Sequence, residues 1–159
     1  MTTLYIQEES GFRKASDDDV ITSAQGLISK RFRRGSPVLS SPGRMREFLS
    51  IHLGACESEI FGIIHLDNRY RSLGAEDLFR GTIDGAAVYP RVIIKSVLAR
   101  NSAAAVCYHN HPSGNSQSSH ADEAITIRIR DALSLIDVRL IDHLIIGENI
   151  FSFAEAGLL

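Results

Sequence analysis

The stretch "AAAVCYHNHPSGNSQSSHADEAITIRIRDALSLI", residues 103–136, passes from an apolar run through small polar residues into a helical pattern. Its apolar start, without polar alternation, reads as a strand covered on both faces. Ser119 followed three positions later by Asp122, ahead of an apolar run, matches a capping box, so a helix is expected from His120 onward. "VRLIDHLIIG" (138–147) then reads as another strand, followed by a Gly147-Glu148-Asn149 turn and "IFSFAEAG". Alternating elements of this kind predict an α/β fold: a mixed sheet flanked by helices.

The segments upstream extend the same pattern. "EIFGIIHLD" (59–67) is apolar on both faces and reads as a central strand, and "YRSLGAEDLFRG" (70–81) reads as its return. Pro90 opens a helix whose buried side is expected to be Val92, Ile93, Val97 and Leu98. Ser41-Pro42 opens another, with Met45, Phe48, Leu49 and Leu53 on one face. "SDDDVITSAQGLISKRFRR" (16–34) is a further helix, acidic at its start and basic at its end as the macrodipole prefers. Residues 1–16 read as loosely held. Residues 1–37 are thus expected to form an N-terminal helical appendage and 38–159 the main domain, with the boundary near residue 38.

Composition narrows the classes. The chain has 159 residues, 44% hydrophobic and 23% charged, with a formal net charge of −2, so no global basic field advertises nucleic acid. Cys56 and Cys107 are too few for a disulfide framework and fit reduced thiols. No apolar run is long enough to span a bilayer, and the N-terminus lacks the order of a signal peptide, so a cytoplasmic location is expected.

Side chains two apart on an extended segment point the same way. His109 and His111 therefore aim at a common point, which suits two imidazoles on one cation; the plainer alternative is a pair of polar strand-end residues. The capping box explains Ser119 and Asp122 without any metal. Helix phase adds something, however: Asp122 lies within about 60° of Ile125, Ile129, Leu133 and Ile136, at the border of the buried face. A carboxylate there needs a compensating partner. Two histidines and one acid form a set of three protein ligands that leaves a position open, as in catalytic rather than structural zinc sites. Hydrolysis also requires a base, and Glu59 at the mouth of "EIFGIIHLD" is the best candidate, with Glu57 its nearest rival and a solvated strand-end acid the plainer reading.

Together, Glu59, His109-x-His111, seven residues, Ser119, two residues and Asp122 resemble the JAMM (MPN-type) metallopeptidase signature. "FRGTID", "YPRVIIKSVLARNSAAAV", "HNHPSG", "DHLIIG" and "FSFAEAGLL" are similar to the bacterial RadC branch, in particular its short single-domain members, over residues 38–159. The resemblance implies the JAMM/MPN layered fold, which is cytidine-deaminase-like. It also implies one zinc ion per chain held by His109, His111 and Asp122, with Glu59 as general base and Ser119 stabilising the oxyanion. The implied activity is amide hydrolysis on a peptide or protein substrate. The Ser119 hydroxyl is expected to accept from the helix backbone while donating outward. Asn110 stands where the ubiquitin-cleaving relatives usually have Ser or Thr.

The tripeptide "HNH" is not the nuclease motif of that name, whose residues are dispersed over a ββα unit. A zinc deaminase needs H-x-E and P-C-x-x-C, and neither is present. The RadC branch also carries an association with DNA repair. The alternative is therefore an accessory protein that binds DNA or protein partners without turnover, with "KRFRR" (30–34) as either a solvated helix end or a phosphate-contacting patch. Among smaller features, Cys107 shares strand parity with His109 and reads as a buried thiol or a group near the metal, His120 is an alternative to Asp122 that lies outside the family match, and Asp142 and His143 are either ordinary strand polarity or partners that orient a ligand. His52 and His65 carry no signal.

Overall fold

The computed structural model describes residues 3–8, 11–31, 41–54, 56–81 and 87–159, with only the backbone of 28–31. The basic run 30–34, as side chains, and the boundary expected near residue 38 lie outside the described residues. The elements are β1 (Tyr5–Glu8), β2 (Gly11–Lys14), α1 (Asp17–Arg31), α2 (Pro42–Leu53), β3 (Ile60–Leu66) and β4 (Ser72–Arg80). They continue with α3 (Pro90–Ala99), β5 (Ala104–Asn110), α4 (His120–Ser134), β6 (Arg139–Ile146) and β7 (Ile150–Ser152).

The main sheet has the order β4-β3-β5-β6-β7. Only β5 and β6 run parallel, joined through α4; the other neighbours are antiparallel. This is the mixed sheet with flanking helices that the alternation of elements predicts. Parity then sorts the side chains. On β3 and β5 the even-numbered Ile60, Ile64, Leu66, Ala104, Val106 and Tyr108 pack with α2, through Met45, Phe48, Leu49 and Leu53. The odd-numbered Phe61, Ile63, Ala105 and Cys107 pack with Ile93 and Val97 of α3 and with Ile129 and Leu133 of α4. A register shift between Ala105 and Val106 opposite β6 puts Leu140 on the α3–α4 side and Ile141 on the α2 side. His109, His111 and His143 share the α3–α4 face.

Two expectations change. Residues 5–8 pair antiparallel with residues 11–14 in a two-stranded sheet, with Tyr5 opposite Lys14. Arg13 ties it to α1 through Asp19 at 2.5 and 3.0 Å, while also reaching Glu8 at 2.6 Å. On α3, Leu98 is 59% exposed and Val92 only half-buried, whereas Ser96 is buried. The reason is polar: Ser96 donates to Glu76 at 2.7 Å and lies 3.1 Å from His65 Nε2, so the helix turns this hydroxyl inward. His65 is fully buried in that network, and His52 reaches Asp77 at 3.0 Å on the other face, where Tyr108 donates to the same carboxylate at 2.7 Å. Among the described residues no helix is long and apolar enough to cross a membrane.

Candidate metal centre

The site lies where β5 ends and α4 begins. His109 is the penultimate residue of β5, and His111 stands just beyond the strand. Its backbone N–H donates to the Ile146 carbonyl at 2.9 Å, which keeps it beside β6. The chain then turns: Gly114 N–H donates back to His111 O at 2.9 Å, and Gly114 takes φ +82°, a left-handed conformation that favours glycine. The turn packs on Gly147, where a Cβ would stand 2.3 Å from Gly114 O, so no larger residue fits without displacing the loop. The outcome is that the Asn115 carbonyl lies 2.6 Å from His111 Nδ1. A carbonyl only accepts, so Nδ1 of His111 carries a proton and Nε2 is the nitrogen left to face the cluster.

The helix start supplies the third group. Ser119 is the N-cap of α4, its hydroxyl accepting from Asp122 N–H at 3.1 Å. In return Asp122 Oδ2 accepts from Ser119 N–H at 2.8 Å and from the Ser119 hydroxyl at 2.6 Å. The capping box therefore holds one carboxylate oxygen and leaves Oδ1 to face His109 Nε2, 3.2 Å away. Burial by itself favours the neutral acid, whereas the two hydrogen bonds from Ser119 favour the carboxylate. The hydroxyl of Ser119 points to Asp122 rather than outward.

His109 Nε2 is 2.9 Å from His111 Nε2, and His111 Nε2 is 3.6 Å from Asp122 Oδ2. One donor atom from each of His109, His111 and Asp122 lies within 4.8 Å of the others, making this a cluster able to hold a metal ion. The fit to zinc is good: bonds of about 2.0–2.1 Å in a tetrahedron place neighbouring donors about 3.3 Å apart. Two nitrogen lone pairs at 2.9 Å repel unless a cation or proton lies between them.

Glu59 stands immediately before β3, two residues ahead of Phe61, which is paired with His109. The antiparallel register places it at the same end of the sheet as His111 and on the parity of Phe61. It is half-buried, and among the described residues its carboxylate has no hydrogen-bond or ion-pair partner; Glu57 is exposed. Its approach is fixed by Asn110, the residue between the two histidines. Pointing to the opposite face, Asn110 accepts from Ile60 N–H at 2.8 Å and donates to Ser58 O at 3.2 Å and Cys56 O at 3.4 Å. These three bonds clamp the segment that carries Glu59. Parity alone shows that Asn110 faces away from the histidines, but its partners lie 50 or more positions away and were not foreseen.

Behind His109, the buried His143 presents Nε2 at 2.8 Å to His109 Nδ1, and Thr126 of α4 lies 2.6 Å from His143 Nδ1. Burial first, then the neighbouring His109, pushes the pKa of His143 well down. Asp142 accepts instead from Ser152 at the end of β7 and from Ala154 just beyond it, and bonds to no member of the cluster. Cys107 is buried in the α3–α4 core and His120 is exposed; neither joins the metal-ligand cluster.

The chain matches the RadC-like JAB domain over residues 39–158. It belongs to that family. Within this RadC-like family it is 49% identical over 140 residues to the UPF0758 protein Tgr7_0100 of Thioalkalivibrio sulfidiphilus, covering 88% of this chain and 62% of that protein. A UPF0758 protein of Halorhodospira halophila is 50% identical over 137 residues, covering 86% and 61%. One from Vibrio cholerae is 41% identical over 147 residues, covering 92% and 93%. The RadC-like chain thus spans about six-tenths of the first two relatives and nearly all of the third.

Proposed function

We propose that this chain is a zinc-dependent metallopeptidase or isopeptidase of the JAMM type, acting in the cytoplasm on a peptide or protein substrate. One observation carries the reading: two imidazoles, each with Nδ1 engaged elsewhere, oppose their Nε2 atoms at 2.9 Å beside a carboxylate oxygen held at 3.2 Å. His109, His111 and Asp122 hold the ion. When bound, zinc supplies Lewis-acid polarisation of a carbonyl and makes a water more acidic.

The remaining steps belong to side chains. Glu59, unpaired among the described residues and fixed through Asn110, takes the proton of the attacking water and delivers it to the leaving amine. Ser119 donates to the carbonyl oxygen as negative charge develops there. To do so its hydroxyl turns away from Asp122 Oδ2, which keeps the Ser119 backbone N–H at 2.8 Å and so stays in place. Cys56 and Cys107, both free thiols, suit a reducing compartment.

The test is Glu59→Gln in the full chain, with zinc uptake and cleavage of a peptide and isopeptide library measured together. Retained zinc with cleavage lost is the expected result. A parent that takes up zinc yet cleaves nothing in the library supports the non-catalytic, DNA- or protein-binding accessory role instead.

A further inference from the structure

The tautomer of His109 can be deduced from the hydrogen-bond chain behind it. Thr126 Oγ1 lies 2.5 Å from the Asp122 carbonyl oxygen and 2.6 Å from His143 Nδ1. A carbonyl only accepts, and a hydroxyl has one proton to give. Thr126 therefore donates to Asp122 O and accepts from His143 Nδ1–H. His143 is fully buried between Phe153 and Phe61 with no carboxylate bonded to its ring among the described residues, so the ring holds one proton, on Nδ1; its Nε2 presents a lone pair, and His109 Nδ1 at 2.8 Å must supply the proton between them. His109 Nε2, the atom that faces His111 and Asp122, is left with its lone pair.

We propose that Thr126 and His143 are positioning residues that set the His109 tautomer, so that Nε2 is offered to a divalent cation. With the chain reversed, a proton on Nε2 would aim into the cluster and block that donor. The ring plane of His143 is held independently, stacked on Phe153 at 4.8 Å between centroids and edge-on to Phe61 at 5.3 Å. The chain also begins on the backbone of Asp122. Docking of α4 thus delivers the carboxylate and, one turn further on, the hydroxyl that orders the proton on the first histidine. A histidine ligand whose far nitrogen is tied down in this way is a recurring feature of metal sites, and loosening the tie costs about 10–100-fold in affinity.

The cation half of this proposal rests on the metal-centre reading; the tautomer half does not, and the experiment separates them. In the full isotope-labelled chain, nitrogen-detected NMR across the His109–His143 hydrogen bond is expected to find the shared proton bonded to His109 Nδ1. Competition with a chromophoric chelator then measures zinc affinity in the parent, Thr126→Val and Thr126→Ser. The valine variant, isosteric but unable to accept, is expected to bind zinc about 10–100-fold more weakly, and serine is expected to restore most of the loss. A shared proton bonded to His143 overturns the proposal, as does zinc binding by Thr126→Val equal to the parent's. A parent with the predicted proton but no zinc uptake upholds the tautomer assignment and removes the metal-centre reading.

Discussion

Replacing Asn110 by alanine separates the support of the site from its candidate metal ligands. The substitution removes one short hydrogen bond, to Ile60 N–H at 2.8 Å, and two longer ones, to Ser58 O at 3.2 Å and Cys56 O at 3.4 Å. Asn110 is buried, so water does not fully replace them. Taking about 1.5 kcal/mol for the short bond and about 0.5 kcal/mol for each long one, the loss is about 2–3 kcal/mol. For a chain of this size, that corresponds to a fall in Tm of about 4–12 °C. Urea unfolding followed by circular dichroism measures it directly, with an unchanged m-value showing that the folded state remains compact. Zinc affinity is expected to change little, because Asn110 faces away from His109 and His111. Hydrolysis is expected to fall with the displaced Glu59. A stability loss below about 1 kcal/mol, or zinc affinity reduced as far as in His109→Ala, would refute the reasoning.

Two further outcomes follow from the same geometry. Ser119→Ala removes an N-cap hydroxyl and one of the donors to Asp122 Oδ2, and is expected to cost about 1 kcal/mol in urea unfolding and to weaken zinc binding severalfold; no change in either contradicts the shared role of the capping box. Burial, then Arg100, lowers the His65 pKa from 6.5 to about 4, so between those values the unfolded chain binds more protons than the folded one. Stability from this group is complete above about pH 6.5 and falls by about 3 kcal/mol as the pH drops towards 4. His65→Asn should flatten that part of the urea-midpoint profile, and an unaltered slope would assign it to other groups.

What could be read along the chain was local. The unbroken apolar run of β5, the parity of His109 and His111, and the Ser119–Asp122 spacing each depend on neighbours within a few residues. Together they place the His109–His111–Asp122 cluster and the fold around it. Other features depend on distant partners. Leu98 was expected inside because an apolar side chain ordinarily is, yet α3 turns Ser96 inward to satisfy His65 and Glu76, which come from β3 and β4. Asn110 stood out only as a difference from the ubiquitin-cleaving relatives, because its partners lie ahead of β3. His143 was a candidate to orient a ligand, but Asp142 beside it was an equal one. Only the register of β6 on β5, with Cys107 opposite His143, puts the imidazole behind His109 and the carboxylate elsewhere. Thr126, one helical turn beyond Asp122, gave no sign until that register was known. The paired strands of residues 5–8 and 11–14 are almost wholly exposed, so no buried apolar face marked them.

The central claim is that two ring nitrogens and a carboxylate oxygen converge to hold one metal ion. Its most direct test is the zinc content of the purified full chain after exposure to zinc and gel filtration, beside His109→Ala and Asp122→Ala. The account predicts close to one zinc ion per parent chain and little in either variant. A parent that emerges free of metal, or variants that keep it, would contradict the site.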